Sequence, residues 1–136
     1  MRIFLDANIL FSCAKSDGAV RRLLALLAKA GHECWADGYV AEEARRNLAA
    51  KAPDGLPELK ALLSRMNLAA VQSSSVPPAF MLALPEKDRP VLAAAIRLGC
   101  EALVTGDSTH FGPLFGKTFD GVTVYSPRLL AQMLLR

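Results

Sequence analysis

The stretch of sequence that decides the fold is Arg2-Ile3-Phe4-Leu5-Asp6-Ala7-Asn8-Ile9-Leu10. Residues 2–5 form a short apolar run, and the polar group at 6–8 ends it before a second apolar segment begins. This pattern predicts a strand that leads directly into a helix. It also places an acidic side chain where the strand ends.

Strand and helix patterns alternate along the rest of the chain. Apolar residues recur with a helical period at 19–30 and after Pro90, and Gly31 and Gly99 are suited to end these two helices. Further elements are predicted as helices at 38–50, 57–65 and 127–136, strands at 33–36, 68–71, 102–105 and 122–125, and a loop at 73–78. Because parallel neighbours need long crossover connections, this alternation favours an α/β fold with a mostly parallel sheet covered by helices.

The composition favours one compact domain over residues 1–136. Of the 136 residues, 52% are hydrophobic and 21% are charged, and no linker or low-complexity tract divides the chain. No apolar stretch approaches the roughly 20 residues that cross a bilayer. Asp6 interrupts the first apolar run before it could serve as a secretory signal. We therefore expect a cytoplasmic protein without a membrane span.

Soft metal ligands are scarce in this chain. Cys13, Cys34 and Cys100 stand outside any C-x-x-C pair and are expected to be buried free thiols. The two histidines, His32 and His110, are too few for a His-rich zinc site. The net charge of +3 indicates a nucleic-acid partner only if the basic residues are clustered. Hard oxygen ligands are therefore the better expectation.

Two acidic residues, Asp6 and Asp107, each follow a predicted strand. Ligands of open parallel sheets bind beyond the carboxyl ends of the strands, so both carboxylates should lie at one edge of the sheet. Asp88 should join them from the N-terminus of the helix that begins near Pro90. The alternative for Asp88 and Asp6 alike is the role of an ordinary helix cap.

The helix predicted at 38–50 supplies a fourth acid, either Glu42 or Glu43. Turning the helix by about 100° per residue gives a buried stripe made of Val40, Ala41, Ala44 and Leu48. Glu42 projects nearly opposite this stripe, and with Arg46 four residues on it should form a solvated ion pair. Glu43 lies nearer the edge of the stripe and can point into a neighbouring cleft. Glu43 is the better candidate, and a small rotation of the helix would favour Glu42.

Four acids at one edge of a sheet, Asp6, Glu43, Asp88 and Asp107, predict a metal site. At about 4 Å and an effective dielectric constant near 20, each like-charged pair costs roughly 4 kcal/mol, which a divalent cation removes. Mg²⁺ prefers oxygen ligands and keeps several waters, so a few carboxylates are enough to hold it. Water bound to such an ion is a nucleophile, and the ion can stabilise charge on a phosphate. These residues therefore favour phosphodiester hydrolysis.

Four segments carry a resemblance to a known family through their order and spacing. They are Leu5-Asp6-Ala7-Asn8-Ile9-Leu10, Tyr39-Val40-Ala41-Glu42-Glu43, Asp88 followed by Val91-Leu92-Ala93-Ala94-Ala95, and Leu103-Val104-Thr105-Gly106-Asp107 with Phe111. Together they resemble a PIN domain, over nearly the whole chain. The resemblance implies a three-layer α/β/α sandwich with a mostly parallel central sheet. It also implies a single-strand endoribonuclease that depends on Mg²⁺ or Mn²⁺, like the VapC-like toxins.

The resemblance implies two kinds of site residue: metal-binding, catalytic acids at Asp6, Glu43, Asp88 and Asp107, and supporting hydrogen-bond donors at Asn8 and Thr105. One position departs from the family pattern, because VapC-like toxins often carry an acid about where His110 stands. The identity of the fourth metal ligand is therefore open at this point. A lone histidine in a loop is more often a solvated surface residue, so His110 is not assigned a catalytic role.

RNA would need cations near the acids to hold its phosphates. The candidates are Arg46 and the pair Lys87 and Arg89, which flank Asp88; the alternative is that all three solvate exposed faces. The resemblance also implies an antitoxin partner or a homodimer. Two other functions stay open. One is a non-catalytic RNA- or protein-binding module on the same scaffold. The other is a receiver-like phosphoacceptor, whose early paired acids and late lysine are not visible here.

Overall fold

The computed structural model describes residues 1–72 and 79–135. The predicted loop at 73–78 and the terminal Arg136 lie outside the described residues. The described strands are β1 (Arg2–Leu5), β2 (Glu33–Asp37), β3 (Asn67–Ala69), β4 (Ala102–Val104), β5 (Thr118–Phe119) and β6 (Val122–Tyr125). The described α-helices are α1 (Ala7–Lys15), α2 (Ala19–Lys29), α3 (Gly38–Lys51), α4 (Leu56–Ser64), α5 (Arg89–Arg97), α6 (Ser108–Phe111) and α7 (Pro127–Leu134). Short 3₁₀ segments occupy Pro53–Gly55, Ala79–Ala83, Glu86–Asp88 and Gly112–Leu114.

The strands form one sheet in the order β3-β2-β1-β4-β6-β5. Neighbouring strands are parallel, except that β5 and β6 form an antiparallel pair at one edge. Helices flank this sheet, and they connect its parallel strands as crossovers. The prediction of an α/β/α sandwich with a mostly parallel central sheet is therefore confirmed.

The two central strands, β1 and β4, lie side by side, and apart from the exposed Arg2 at the start of β1 their residues are apolar and buried. Phe4 is opposite Trp35 of β2 on one side and Leu103 of β4 on the other. Phe4 and Leu103 are both fully buried. Continuous apolar strands of this kind are typical of parallel sheets that are covered on both faces. Because β1 and β4 run in the same direction, the residues that follow each strand meet at the same edge.

Some predicted boundaries differ from those observed. The helix predicted at 57–65 begins one residue earlier and ends one residue earlier, as α4. β3 ends at Ala69, so Val71 lies outside the sheet and is 58% exposed. β5 is absent from the predicted set, because a strand of two residues carries no periodic signal. It joins β6 through a tight turn in which Asp120 and Gly121 have φ angles of 46° and 84°.

The three cysteines are free thiols, as predicted. Cys13 and Cys100 are buried, and Cys34 is partly buried. Across residues 1–72 and 79–135, no helix is long and apolar enough to cross a membrane.

Candidate metal centre

Asp6 is held at the carboxyl end of β1 by its backbone and by its side chain. Its N–H donates to the carbonyl of Val104 at 3.0 Å, which extends the pairing of β1 with β4. One carboxylate oxygen accepts from the N–H of Ala7 at 2.7 Å, and the other accepts from the hydroxyl of Thr105 at 2.8 Å. The residue is only 4% exposed. Asp6 thus caps α1, and it also presents a buried carboxylate at the sheet edge.

Asn8 and Thr105 connect Asp6 to the turn that follows β4. The Asn8 amide donates to Asp6 Oδ2 at 3.3 Å and to Thr105 Oγ1 at 3.2 Å, while its oxygen accepts from the Gly106 N–H at 2.7 Å. The Thr105 hydroxyl, which is fully buried, also accepts from the N–H of Asp107 at 3.1 Å. These bonds tie the ends of β1 and β4 together, so they fix Asp6 and Asp107 relative to each other.

Burial raises the pKa of Asp6 to about 6. The hydrogen bonds from Thr105 and Ala7 lower this pKa, and the negative charges of Glu43 and Asp88 raise it. A carboxylate whose charge is disfavoured by burial and by two neighbouring acids is stabilised by a nearby cation. The electrostatics of Asp6 therefore suit a cation site, with the negative charges of Glu43 and Asp88 among the smaller causes of its raised pKa.

Helix α3 directs Glu42 and Glu43 to different surroundings. Glu43 is partly buried, whereas Glu42 is exposed. The predicted pairing of Glu42 with Arg46 is wrong. Glu42 pairs with Arg45 instead, because the guanidinium fork of Arg45 reaches both carboxylate oxygens, at 2.9 and 2.6 Å. Of the predicted stripe, Val40, Ala44 and Leu48 are buried and Ala41 is partly buried.

Asp88 approaches the site from the 3₁₀ turn before α5. Its side chain makes no capping hydrogen bond, so the alternative of an ordinary helix cap is wrong for this residue. Tyr39 holds the residue before Asp88 in place, because the Tyr39 hydroxyl donates to the carbonyl of Lys87 at 2.6 Å. Burial and the charges of the nearby acids raise the pKa of Tyr39, which keeps the hydroxyl a donor. Since it caps no helix, the carboxylate of Asp88 is available to contact a cation.

Asp107 and His110 meet in the first turn of α6. Asp107 Oδ1 accepts from the backbone N–H of His110 at 3.0 Å, and Asp107 Oδ2 lies 2.9 Å from the ring nitrogen Nδ1. That nitrogen also lies 2.7 Å from Asp88 Oδ2. The expectation that His110 is a solvated surface residue is therefore wrong. The helical turn, anchored by the fully buried Phe111, directs the ring toward two acids.

Asp88, Asp107 and His110 each offer one ligand atom, and the three atoms lie within 4.8 Å of one another. Asp88 Oδ2 and His110 Nδ1 are buried, and neither has a hydrogen-bond partner among residues 1–72 and 79–135, because their 2.7 Å contact lacks hydrogen-bond alignment. Buried polar atoms in proteins are nearly always satisfied. Unpaired atoms beside a second carboxylate therefore fit a positive ion. Carboxylate oxygens with one imidazole nitrogen form a donor set suited to a divalent cation.

The four predicted acids are gathered in two overlapping groups. Asp6, Glu43 and Asp88 interact through their charges, whereas Asp88 and Asp107 share contacts with His110. No other three acids, cysteines or histidines of the described residues bring ligand atoms as close together. The close cluster therefore contains a histidine where the sequence predicts only carboxylates, and Asp88 belongs to both groups.

The basic residues predicted to contact RNA differ in their surroundings. Arg46 and Lys87 are exposed. Arg89 is partly buried, and its Nε donates to the carbonyls of Met81 and Leu84 at 3.2 and 3.1 Å. Arg89 thus braces the segment before α5, which leaves Arg46 and Lys87 as the freer cations. Contact with RNA stays a prediction for all three.

The sequence reasoning did not single out Asp37 or Tyr39. Asp37 ends β2, is 3% exposed, and accepts from the N–H of Val40 at 3.1 Å as the cap of α3. Asp37 directly follows the strand predicted at 33–36, as Asp6 follows the first strand, so the sequence carried a signal for it, although the residue caps a helix. Tyr39 is not acidic, so a search for metal-binding carboxylates does not find it. Its role is to hold the backbone of Lys87, a contact that only the fold creates.

We expect Thr105→Val to lower the free energy of unfolding by about 1 to 3 kcal/mol, because it leaves buried partners unpaired. Valine keeps the shape of the side chain but removes a hydroxyl that bonds to Asp6, Asn8 and Asp107. Urea unfolding in EDTA measures the change. The control is Thr118→Val, which loses a bond between two exposed hydroxyls and should shift stability by less than about 0.5 kcal/mol. Equal shifts in the two variants would contradict a supporting role for the Thr105 network.

The fold and the site together define the class of this chain, an open α/β protein with an acidic site beyond the carboxyl ends of its central strands. The model of the PIN domain family matches residues 2–109, so the chain belongs to the PIN domain family. Members of this family are nucleases. None of the curated protein sequences matches the chain.

Several solved structures share the fold. VapBC2 from Rickettsia felis, bound to a DNA fragment from its promoter, has 18% identity and a TM-score of 0.64, with 93% of this chain and 98% of that chain covered. VapC20 from Mycobacterium tuberculosis, a Sarcin-Ricin loop cleaving toxin, has 12% identity and a TM-score of 0.59, with 85% and 98% covered. VapBC-1 from nontypeable Haemophilus influenzae has 12% identity and a TM-score of 0.60, with 94% and 99% covered. At these identities the likeness shows the fold alone.

Proposed function

We propose that this chain is an Mg²⁺- or Mn²⁺-dependent endoribonuclease, with a single nuclease domain over residues 1–136, which cleaves single-stranded RNA in the cytoplasm. It hydrolyses phosphodiester bonds and leaves a 3′-hydroxyl and a 5′-phosphate. The family match supports the reaction class. Two observations support the proposal: ligand atoms of Asp88, Asp107 and His110 lie within 4.8 Å of one another, and the charges of Glu43 and Asp88 act on the buried carboxylate of Asp6.

The four acids would hold the metal, with Asp88 between the two groups that they form. A bound divalent cation would lower the pKa of a water molecule and polarise the scissile phosphate. The protein's own contribution is the position of its ligands. Thr105 and Asn8 hold the carboxylate of Asp6 in place, and Tyr39 holds the turn that carries Asp88.

The exposed cations Arg46 and Lys87 would contact the RNA backbone. Each stands close in sequence to one of the acids, Arg46 on the helix of Glu43 and Lys87 directly before Asp88. Positive side chains beside the acidic group would hold the phosphates that the acids alone repel. Arg89 would add its charge from a more fixed position, because its Nε is already engaged.

We also propose that the protein is the toxin of a toxin–antitoxin pair and binds a cognate antitoxin, with a homodimer as its own assembly. Support comes from the similar structures, of which one is described as a Sarcin-Ricin loop cleaving toxin and two as VapBC. A small open reading frame directly upstream of the gene would agree with this role. An isolated gene would favour another role in RNA processing.

The proposed reaction is tested with purified protein and end-labelled single-stranded RNA. Cleavage should require Mg²⁺ or Mn²⁺, stop in EDTA, and return when the metal is added in excess, because the acids cannot position a nucleophilic water without a cation. A mock purification from cells that do not express the protein reports any contaminating nuclease, and Asp6→Asn, purified in parallel, should not cleave. RNA binding without cleavage in every metal would instead support the non-catalytic binding module. Cleavage unchanged by EDTA or by Asp6→Asn would reject the mechanism.

A further inference from the structure

The ring nitrogen Nδ1 of His110 faces two carboxylates at once. It lies 2.7 Å from Asp88 Oδ2 and 2.9 Å from Asp107 Oδ2, and no described residue forms a hydrogen bond with it. Two anionic oxygens this close to a nitrogen lone pair repel it unless a positive charge lies among the three atoms. Either a proton on the nitrogen or a shared cation could supply that charge.

The geometry of the contacts favours a shared cation over a proton that is donated to one of the oxygens. A ring N–H that donated to one of the two oxygens would align with that N···O direction, and neither contact of His110 within the described residues is aligned in this way. In an octahedral shell with metal–ligand distances of about 2.1 Å, adjacent ligand atoms lie about 3.0 Å apart. Each lone pair then points at the ion, about 45° away from the neighbouring ligand atom. Close contacts without hydrogen-bond alignment, as His110 makes, are those of adjacent ligands.

We propose that His110 is a metal ligand through Nδ1, beside Asp88 and Asp107, and that this nitrogen shifts the metal preference from Mg²⁺ toward Mn²⁺. The inference rests on the metal-dependent function proposed above. Carboxylate and water ligands suit Mg²⁺, whereas imidazole suits transition metals, so one nitrogen in the shell changes the order of affinity. The local fold supplies the placement, because Asp107 caps α6 through the His110 N–H and sets the ring beside its own carboxylate.

Electron paramagnetic resonance of the Mn²⁺-loaded full chain tests the ligand directly, without substrate. Electron spin-echo envelope modulation detects a nitrogen bound to Mn²⁺, and labelling histidine with ¹⁵N identifies that nitrogen as imidazole. The wild-type protein should show a ¹⁴N coupling that ¹⁵N-histidine replaces. His110→Asp should lose the coupling and still bind Mn²⁺. His32→Gln, which removes the other histidine of the chain, should keep it.

Competition between Mg²⁺ and bound Mn²⁺ gives a second readout that does not depend on activity. We expect His110→Asp to lower the ratio of Mn²⁺ to Mg²⁺ affinity by roughly tenfold, because it replaces the imidazole by a carboxylate. His32→Gln should leave the ratio unchanged. An unchanged ratio in His110→Asp would overturn the proposed role.

The outcomes separate this inference from the proposed function. If wild-type protein binds Mn²⁺ and cleaves RNA without any histidine coupling, His110 is not a ligand and the nuclease function stands. Coupling that persists in His110→Asp overturns the inference as well. If the wild-type protein binds no Mn²⁺, both the metal centre and the role of His110 are wrong. The labelling experiment can also be run on His32→Gln, in which His110 is the only remaining histidine, so it decides the question even if His110→Asp fails to fold.

Discussion

Asp88→Asn is expected to lower the rate of RNA cleavage by about 100- to 1,000-fold, the equivalent of the several kcal/mol that a metal ion contributes to a transition state. Asp88 acts on Asp6 through its charge and contacts His110 directly, so it belongs to both parts of the proposed centre. Asparagine keeps the shape of the side chain but removes its charge. Single-turnover cleavage with saturating Mn²⁺ measures the rate.

Asp37→Asn is the matched control for Asp88→Asn. Asp37 is also a buried carboxylate, but it caps α3, and asparagine caps helices about as well as aspartate. The control should cleave at nearly the wild-type rate. Thermal unfolding establishes that both variants are folded. If folded Asp88→Asn cleaves within about threefold of the wild type, a difference under 1 kcal/mol, Asp88 is not a metal-holding group of this reaction.

The sheet and the positions of most of the acids could be predicted because their signals are local. Asp6 and Asp107 follow apolar strands, and the direction of parallel strands then brings them to one edge without further information. The choice between Glu42 and Glu43 followed from helical geometry alone, and the observed burial agrees with it. All of these predictions depend only on the helical period of the sequence and on the direction of the strands.

The local contacts within the site were not predictable, because they depend on the turns between elements. His110 is three residues from Asp107 in any reading of the sequence, but its ring faces Asp88 only because α6 is a single helical turn placed beside residue 88. The pairing of Glu42 with Arg45 rather than Arg46 was decided by side-chain geometry. The difference in free energy between two such ion pairs is about a few tenths of a kcal/mol. Neither the composition nor the helical period of the sequence can predict so small a difference.

Asp6→Asn is expected to stabilise the metal-free protein at neutral pH while it abolishes RNA cleavage. Burial raises the pKa of Asp6 to about 6, above the value of 3.8 for an unperturbed carboxyl. The folded state therefore favours protonated Asp6. The stability that this contributes is complete below pH 4 and is lost as the pH rises through about 6. Full ionisation then costs roughly 3 kcal/mol, a cost that an uncharged asparagine does not bear.

The pH dependence isolates this charge from other effects of Asp6→Asn. The amide cannot reproduce every bond of the carboxylate, because Asn8 and Thr105 both donate to Asp6 Oδ2, but that loss does not vary with pH. The difference in unfolding free energy between Asp6→Asn and wild type, measured in EDTA, should rise by about 2 to 3 kcal/mol between pH 4 and pH 7.5. Saturating Mn²⁺ should remove much of this advantage, because the ion binds the wild-type folded state. A difference that stays flat from pH 4 to 7.5 would show that burial does not perturb Asp6, and that its ionisation carries no penalty for a cation to relieve.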